Sequence, residues 1–90
     1  IDLARHVVTV HGRTISLTRS EFQLLRLLAA RPGEVFARAQ IMEELWQTEF
    51  DGDERACDVH ISNLRQKIET DAQRPELIQT VRGIGYKFAE

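Results

Sequence analysis

The 90-residue sequence has one cysteine, two prolines, one tryptophan, one tyrosine and no start methionine. A single thiol, Cys57, excludes an internal disulfide framework and suits a reducing compartment. No apolar run approaches the ~18 residues that a spanning helix needs, so no membrane partner is expected. Repeats and low-complexity stretches are missing. Positive charge is not in excess either: 12 basic residues stand against 14 acidic ones, a formal net charge of -2. That balance taken alone gives no support to nucleic-acid binding. Ile1-Asp2-Leu3 carries no signal-peptide pattern, so the chain reads as an excised domain or mature fragment. What is present is ordinary globular material, 42% hydrophobic and 29% charged. It is enough for one small domain over residues 1–90 with little core to spare.

The charges are unevenly placed. Residues 1–33 carry a net of +3, residues 34–54 a net of -6, and residues 55–90 a net of +1. An acidic middle thus separates two mildly basic ends, and different faces can serve different partners. A solvated acidic loop would look the same.

Local patterns place the elements. "VVTVHGRTISL" reads as strands over 7–10 and 14–17 joined near His11-Gly12. In "LTRSEF", Thr18 can N-cap a helix while Glu21 closes a capping box, and Leu17 with Phe22 matches a hydrophobic staple. Phe22, Leu25, Leu28 and Ala29 follow at helical spacing, and Arg31-Pro32-Gly33 ends the helix. A second helix is expected over 38–46, with Ile41, Met42, Leu45 and Trp46 on its apolar side. Its cap position holds Ala37, which offers no side-chain oxygen. A third helix spans about 56–69, followed by the strand "LIQTV", the turn "RGIG" and the strand "YKF". Strands at the two ends and three helices between them make an α+β layout.

The third helix separates into two faces. At 100° per residue, Cys57, Ile61, Leu64 and Ile68 fall in a stripe about 60° wide that should be buried. Opposite lie Val59, Ser62, Asn63 and Gln66, bordered by His60 and Lys67 on one side and Arg55 on the other. Arg65 sits near the core boundary, where a long side chain still reaches outward. A solvated face has this composition, and so does a groove-reading one. An amide such as Asn63 can bond an adenine edge, Val59 can meet a thymine methyl, and the cations can hold phosphates. Helix angles do not choose between the two. Asp58, His60 and Cys57 do not converge on one ion, so no metal is expected. No nucleophile–base set exists, so neither an enzyme nor a cofactor is expected.

"TVRGIGYKF", residues 80–88, contains a Gly-x-Gly. A phosphate-cradling glycine loop opens a helix, yet the chain has only five residues after Gly85. Gly83 and Gly85 are therefore assigned to the tight turn of a hairpin. Arg82 at its tip can be an ordinary exposed charge, or a probe of a narrow minor groove if the hairpin meets DNA.

Together, "LTRSEFQLLRLLAARPGEVFARAQIMEELW", "DVHISNLRQKIE" and "IQTVRGIGYKF" resemble the C-terminal effector domain of OmpR/PhoB-type response regulators, across essentially the whole chain. The resemblance implies a winged helix-turn-helix: a short N-terminal antiparallel sheet, a three-helix core and a C-terminal β-hairpin wing. It implies sequence-specific binding of double-stranded DNA for transcription regulation in a bacterial two-component system, in the cytoplasm. The third helix would enter the major groove and the wing the minor groove. Val59 and Asn63 fall on base-reading positions, and Thr80 and Arg82 on wing positions that approach bases. Trp46, Arg55, His60, Ser62, Arg65 and Tyr86 fall on backbone-contacting positions, and Lys67 flanks them.

The resemblance also implies a contact between RNA polymerase and the loop at 47–54, through Glu49, Asp51, Asp53 and Glu54. An N-terminal receiver domain with a phosphorylated aspartate would belong to the parent protein. Ser62 and Asn63 stand where some members have arginine, and Ala37 and Ala56 where a hydroxyl residue is usual. Weak monomer affinity is therefore expected, offset by dimerisation on tandem half-sites; the isolated domain is expected to be a monomer. The competing reading is a winged-helix module for protein–protein contact without intrinsic DNA specificity.

Overall fold

A computed structural model of the chain describes residues 8–46 and 55–89, apart from the side chain of Trp46. The first hairpin pairs β1 (Val8–Val10) with β2 (Arg13–Ile15), in the register Val8↔Ile15, Thr9↔Thr14 and Val10↔Arg13. Its two-residue turn has positive φ at both His11 (51°) and Gly12 (79°), the type I′ signature that matches strand twist. That turn brings Arg13 into the ladder, so β2 starts and ends earlier than the expected 14–17. Leu17 then leaves the strand and packs on the core cluster that contains Phe22.

Helix α1 (Arg19–Ala29) begins as the sequence predicts. The Glu21 N–H donates to Thr18 Oγ1 at 3.2 Å, and the Thr18 N–H donates to Glu21 Oε1 at 2.8 Å, completing the capping box. Ala30 caps the far end, and Gly33, at a φ of 82°, turns the chain so that its N–H donates to Phe88 O at 2.8 Å.

The sequence reading has no element between this helix and the next, but the structure has β3 (Val35–Ala37) there. Three residues carry no usable periodicity, and what makes them a strand is their partner. They pair antiparallel with β5 (Gly85–Phe88), which also pairs with β4 (Ile78–Val81). The result is a three-stranded sheet in the order β3-β5-β4, not a free-standing hairpin.

Helix α2 (Arg38–Trp46) starts directly after β3, and α3 (Arg55–Ile68) starts one residue before the expected position. Residues 47–54 lie outside the described residues. The core sits among the three helices and the inner faces of both sheets, with Leu24, Leu25, Leu28, Phe36, Ile41 and Ile78 fully buried. Cys57, Ile61, Leu64 and Ile68 supply the buried stripe of α3, as the 3.6-residue period predicts.

The second glycine of the Gly-x-Gly corrects the sequence reading. Gly83, at a φ of 79°, is a turn residue, and the Ile84 N–H closes the turn on Val81 O at 3.0 Å. Gly85 is not in the turn but is the first residue of β5. A Cβ placed on it would lie 2.0 Å from Phe36 O, 2.9 Å from Phe36 C and 3.0 Å from Ala37 Cα. Gly85 is there because β3 passes too close to admit a side chain.

Candidate nucleic-acid interface

Burying its apolar stripe turns the opposite side of α3 outward. Val59 is 57% exposed, so its methyl groups are accessible on this face. Ser62, Asn63 and Gln66 are exposed beside it, Arg55 and Lys67 are exposed at the flanks, and His60 is half-buried. The expected groove-facing residues therefore share one accessible helix surface. Arg55 is the first residue of α3, within the helix and not before it.

Two carboxylates fix this helix. Glu69, just past its C-terminus, is buried and accepts backbone N–H groups from Glu76, Leu77 and Ile78 at 2.8–3.0 Å. It closes the connection to β4 and was missed at the sequence level. One local signal was available: an acid at a helix C-terminus opposes the macrodipole and calls for a specific partner. Glu21 of the capping box accepts the Lys67 ammonium at 2.6 Å, joining the start of α1 to the end of α3. Burial pushes the Glu21 carboxyl pKa up, but the bonds from Lys67 and Thr18 prevail and hold it below its ordinary 4.5.

The β4–β5 hairpin carries Arg82 and Ile84 at its exposed tip, Ile84 being 59% exposed. At its base the hairpin is tied to α3 by side chains. Arg65 donates to Ile78 O from Nε at 3.2 Å and from Nη2 at 2.9 Å, and from Nη2 to Thr80 Oγ1 at 2.8 Å. Its guanidinium carbon also lies 5.3 Å from the centroid of the Tyr86 ring. The Tyr86 hydroxyl donates to Asp58 Oδ1 at 2.5 Å. Arg38 Nε is 3.1 Å from the same oxygen, in a geometry that makes an ion pair and not a hydrogen bond. Burial and the bond to Asp58 push the Tyr86 hydroxyl up from 10.0 to about 12.

Lys67 on Glu21, Arg65 on β4 and Tyr86 on Asp58 are expected backbone contacts that have internal partners. Each would reach a phosphate only by sharing or leaving that partner. Trp46 ends α2, but its side chain lies outside the described residues, as do Glu49, Asp51, Asp53 and Glu54 of the acidic loop. Among the described residues, no group of three or more His, Cys, Asp or Glu side chains is placed to hold a metal ion. None of the described helices is long and apolar enough to cross a membrane.

Residues 12–88 match the family model described as "Transcriptional regulatory protein, C terminal". The chain is similar to the sensory transduction protein RegX3 of Mycobacterium tuberculosis (strain ATCC 25618 / H37Rv), with 45% identity over 88 residues, 98% of this chain and 39% of that protein. It is equally similar to the DNA-binding response regulator MtrA of Mycolicibacterium smegmatis, 45% over 87 residues, 97% of this chain and 38% of that one. The chain therefore spans about two fifths of the length of these curated relatives. Among solved structures, the RstA DNA-binding domain of Klebsiella pneumoniae, crystallised with the RstA box, superposes with a TM-score of 0.87 at 36% identity. That match covers 99% of this chain and 88% of the other.

Proposed function

The chain belongs to the OmpR/PhoB-type family of transcriptional regulatory protein C-terminal domains, and from that premise we propose that it binds double-stranded DNA sequence-specifically to regulate transcription. The observation that carries this reading is the outward surface of α3. It pairs an exposed valine with an exposed amide and a hydroxyl, and a winged hairpin beside it ends in an exposed arginine. In this proposal α3 lies in the major groove, with Val59 and Asn63 against base edges and Ser62, His60 and Arg55 toward the backbone. Arg82, with Thr80 behind it, enters the minor groove, where a narrow A·T tract concentrates negative potential. The RstA DNA-binding domain, crystallised with the RstA box, supports the class of ligand.

The reading extends to the whole protein as follows. A net charge of -2 and a polar α3 face give one copy few phosphate contacts, so occupancy of tandem half-sites by two copies is proposed. The acidic segment at 47–54 is proposed as a contact for RNA polymerase, and a phosphorylated receiver domain as the control element of the parent protein in the bacterial cytoplasm. Both rest on the family.

Selection of bound sites from random duplex DNA at two salt concentrations tests the central claim. It should return a defined motif, repeated at a spacing near one helical turn. Recovery of no enriched sequence at either salt would overturn DNA recognition in favour of a protein-binding winged helix.

A further inference from the structure

The recognition helix and the wing are separate elements that must read two grooves of one duplex. Glu69 and the shared core join the end of α3 to the start of β4, and a second group of side chains ties the helix to the hairpin itself. Asp58 and Arg65 are seven residues apart on α3, two turns along the same face. Between them they grip the hairpin. Arg65 holds β4 through Ile78 O and Thr80 Oγ1, and its guanidinium carbon lies over the ring of Tyr86 of β5, the residue paired with Thr80 across the hairpin. Asp58 takes the hydroxyl of that same tyrosine, and Arg38 at the start of α2 holds Asp58. One planar cation thus spans both strands of the wing, two residues before Arg82.

We propose that Arg65 is a positioning residue: it locks the wing to the recognition helix, so that the probe Arg82 and the base-reading face around Asn63 are held at a fixed offset. The proposal rests on the DNA-binding reading and adds to it. Pre-setting that offset removes the ordering cost of docking two elements independently, so base preferences under the wing depend on a residue that need not touch a base. Only a guanidinium can do this. A fork delivers two bonds to one carbonyl and a third to a hydroxyl while its carbon sits over a ring, whereas a lysine ammonium supplies the charge without that geometry.

Arg65→Lys separates the roles, because a residue that only neutralises a phosphate keeps its function in that substitution. The selected DNA site is compared with two altered sites, one changed in the major-groove half-site and one in the segment under the wing. For the wild type both changes weaken binding. For Arg65→Lys the half-site penalty should persist, while the wing-segment penalty should shrink by roughly fivefold or more. If both penalties match the wild type, Arg65 does not position the wing. A wild-type domain that discriminates neither site refutes the functional reading instead.

A second arm needs no DNA. Residual dipolar couplings of the free domain should give one alignment for α3 and the β4–β5 hairpin in the wild type, and distinct alignments in Arg65→Lys. Thr80→Val, which deletes a single acceptor on an exposed strand position, should move the hairpin in the same direction even if Arg65→Lys does not fold. Unchanged alignment in the variant that folds overturns the inference.

Discussion

Substituting alanine at the two glycines of the wing should damage the domain to different extents and for different reasons. At Gly85 the added methyl carbon would sit 2.0 Å from Phe36 O, with Phe36 C and Ala37 Cα at 2.9 and 3.0 Å. All three are backbone atoms, so no side-chain rotation relieves the clash, and β3 must move off β5. Overpacking of this kind costs about 1–3 kcal/mol, and a clash with backbone on every side belongs at the upper end. For a domain of this length, total stability is roughly 5–13 kcal/mol, so a loss of about 3 is a large share. At ~4–8 °C per kcal/mol for domains of this size, Gly85→Ala should lower Tm by about 12–24 °C. At Gly83 there is open space within 4 Å, and only the φ of 79° opposes a side chain. That costs about 1–2 kcal/mol, hence roughly 4–16 °C. Thermal unfolding followed by circular dichroism measures both. If Gly85→Ala melts within ~4 °C of the wild type, or above Gly83→Ala, the close approach of β3 is not what selects glycine there.

Four further outcomes test the site. Asn63→Ala should relax preference at one base pair by about 1–3 kcal/mol, read by binding to single-base variants; an unchanged preference at every position removes Asn63 from base recognition. Arg55→Gln should weaken all duplexes alike and flatten the log Kd versus log salt slope by about one, so an unaltered slope removes Arg55 from the phosphates. Glu21 has a folded pKa below 4.5, so its contribution is full above that value and disappears as pH falls through the folded one. The stability gap between wild type and Glu21→Gln should therefore close on acidification, and a gap constant with pH would dismiss the Lys67 pairing as its source. Tyr86 is the one tyrosine of the chain, so alkaline titration of phenolate absorbance reports it directly. Its midpoint should lie near 12 and fall toward 10.0 in Asp58→Asn. Because burial and the Asp58 bond make the folded value the higher one, the stability tied to the neutral hydroxyl is full below 10.0 and is lost as pH rises through about 12.

The legible parts of this fold are those written in short-range pattern. Thr18 and Glu21 sit three residues apart and specify a helix start without outside help. The α3 faces follow from helical period, and the same geometry separates Val59, Ser62 and Asn63 from the core. What sequence reasoning misplaced depends on contacts between distant segments. Val35–Ala37 is a strand because β5 lies beside it, nearly fifty residues later in the chain. Gly85 looks like a turn residue next to Gly83, and only the path of Phe36 reveals its purpose. The resemblance gives Arg65 and Tyr86 a place toward DNA, and helix angle gives Lys67 one, but neither shows internal partners. Their partners, on β4, α1 and α3, lie 13 to 46 residues away.

Those partners also bear on how a chain with a net charge of -2 can use DNA as a ligand. Of the three cations on α3, Arg65 and Lys67 are engaged inside the protein, and Arg38 faces Asp58. Arg55 on α3 and Arg82 at the wing tip are exposed on the proposed surface. Each neutralised phosphate contributes about 0.9 to the salt slope, so a copy with few cations toward DNA should show a shallow slope. Non-specific attraction is correspondingly small, and binding must draw on the base-facing group of Val59 and Asn63, which counts only at the right sequence. A single half-site then offers little affinity. Two copies on adjoining half-sites combine two weak but selective contacts, the second at the high effective concentration set by the first. In this reading the internal pairing of Arg65 and Lys67 suppresses indiscriminate binding, and tandem occupancy restores affinity only where the sequence is read twice.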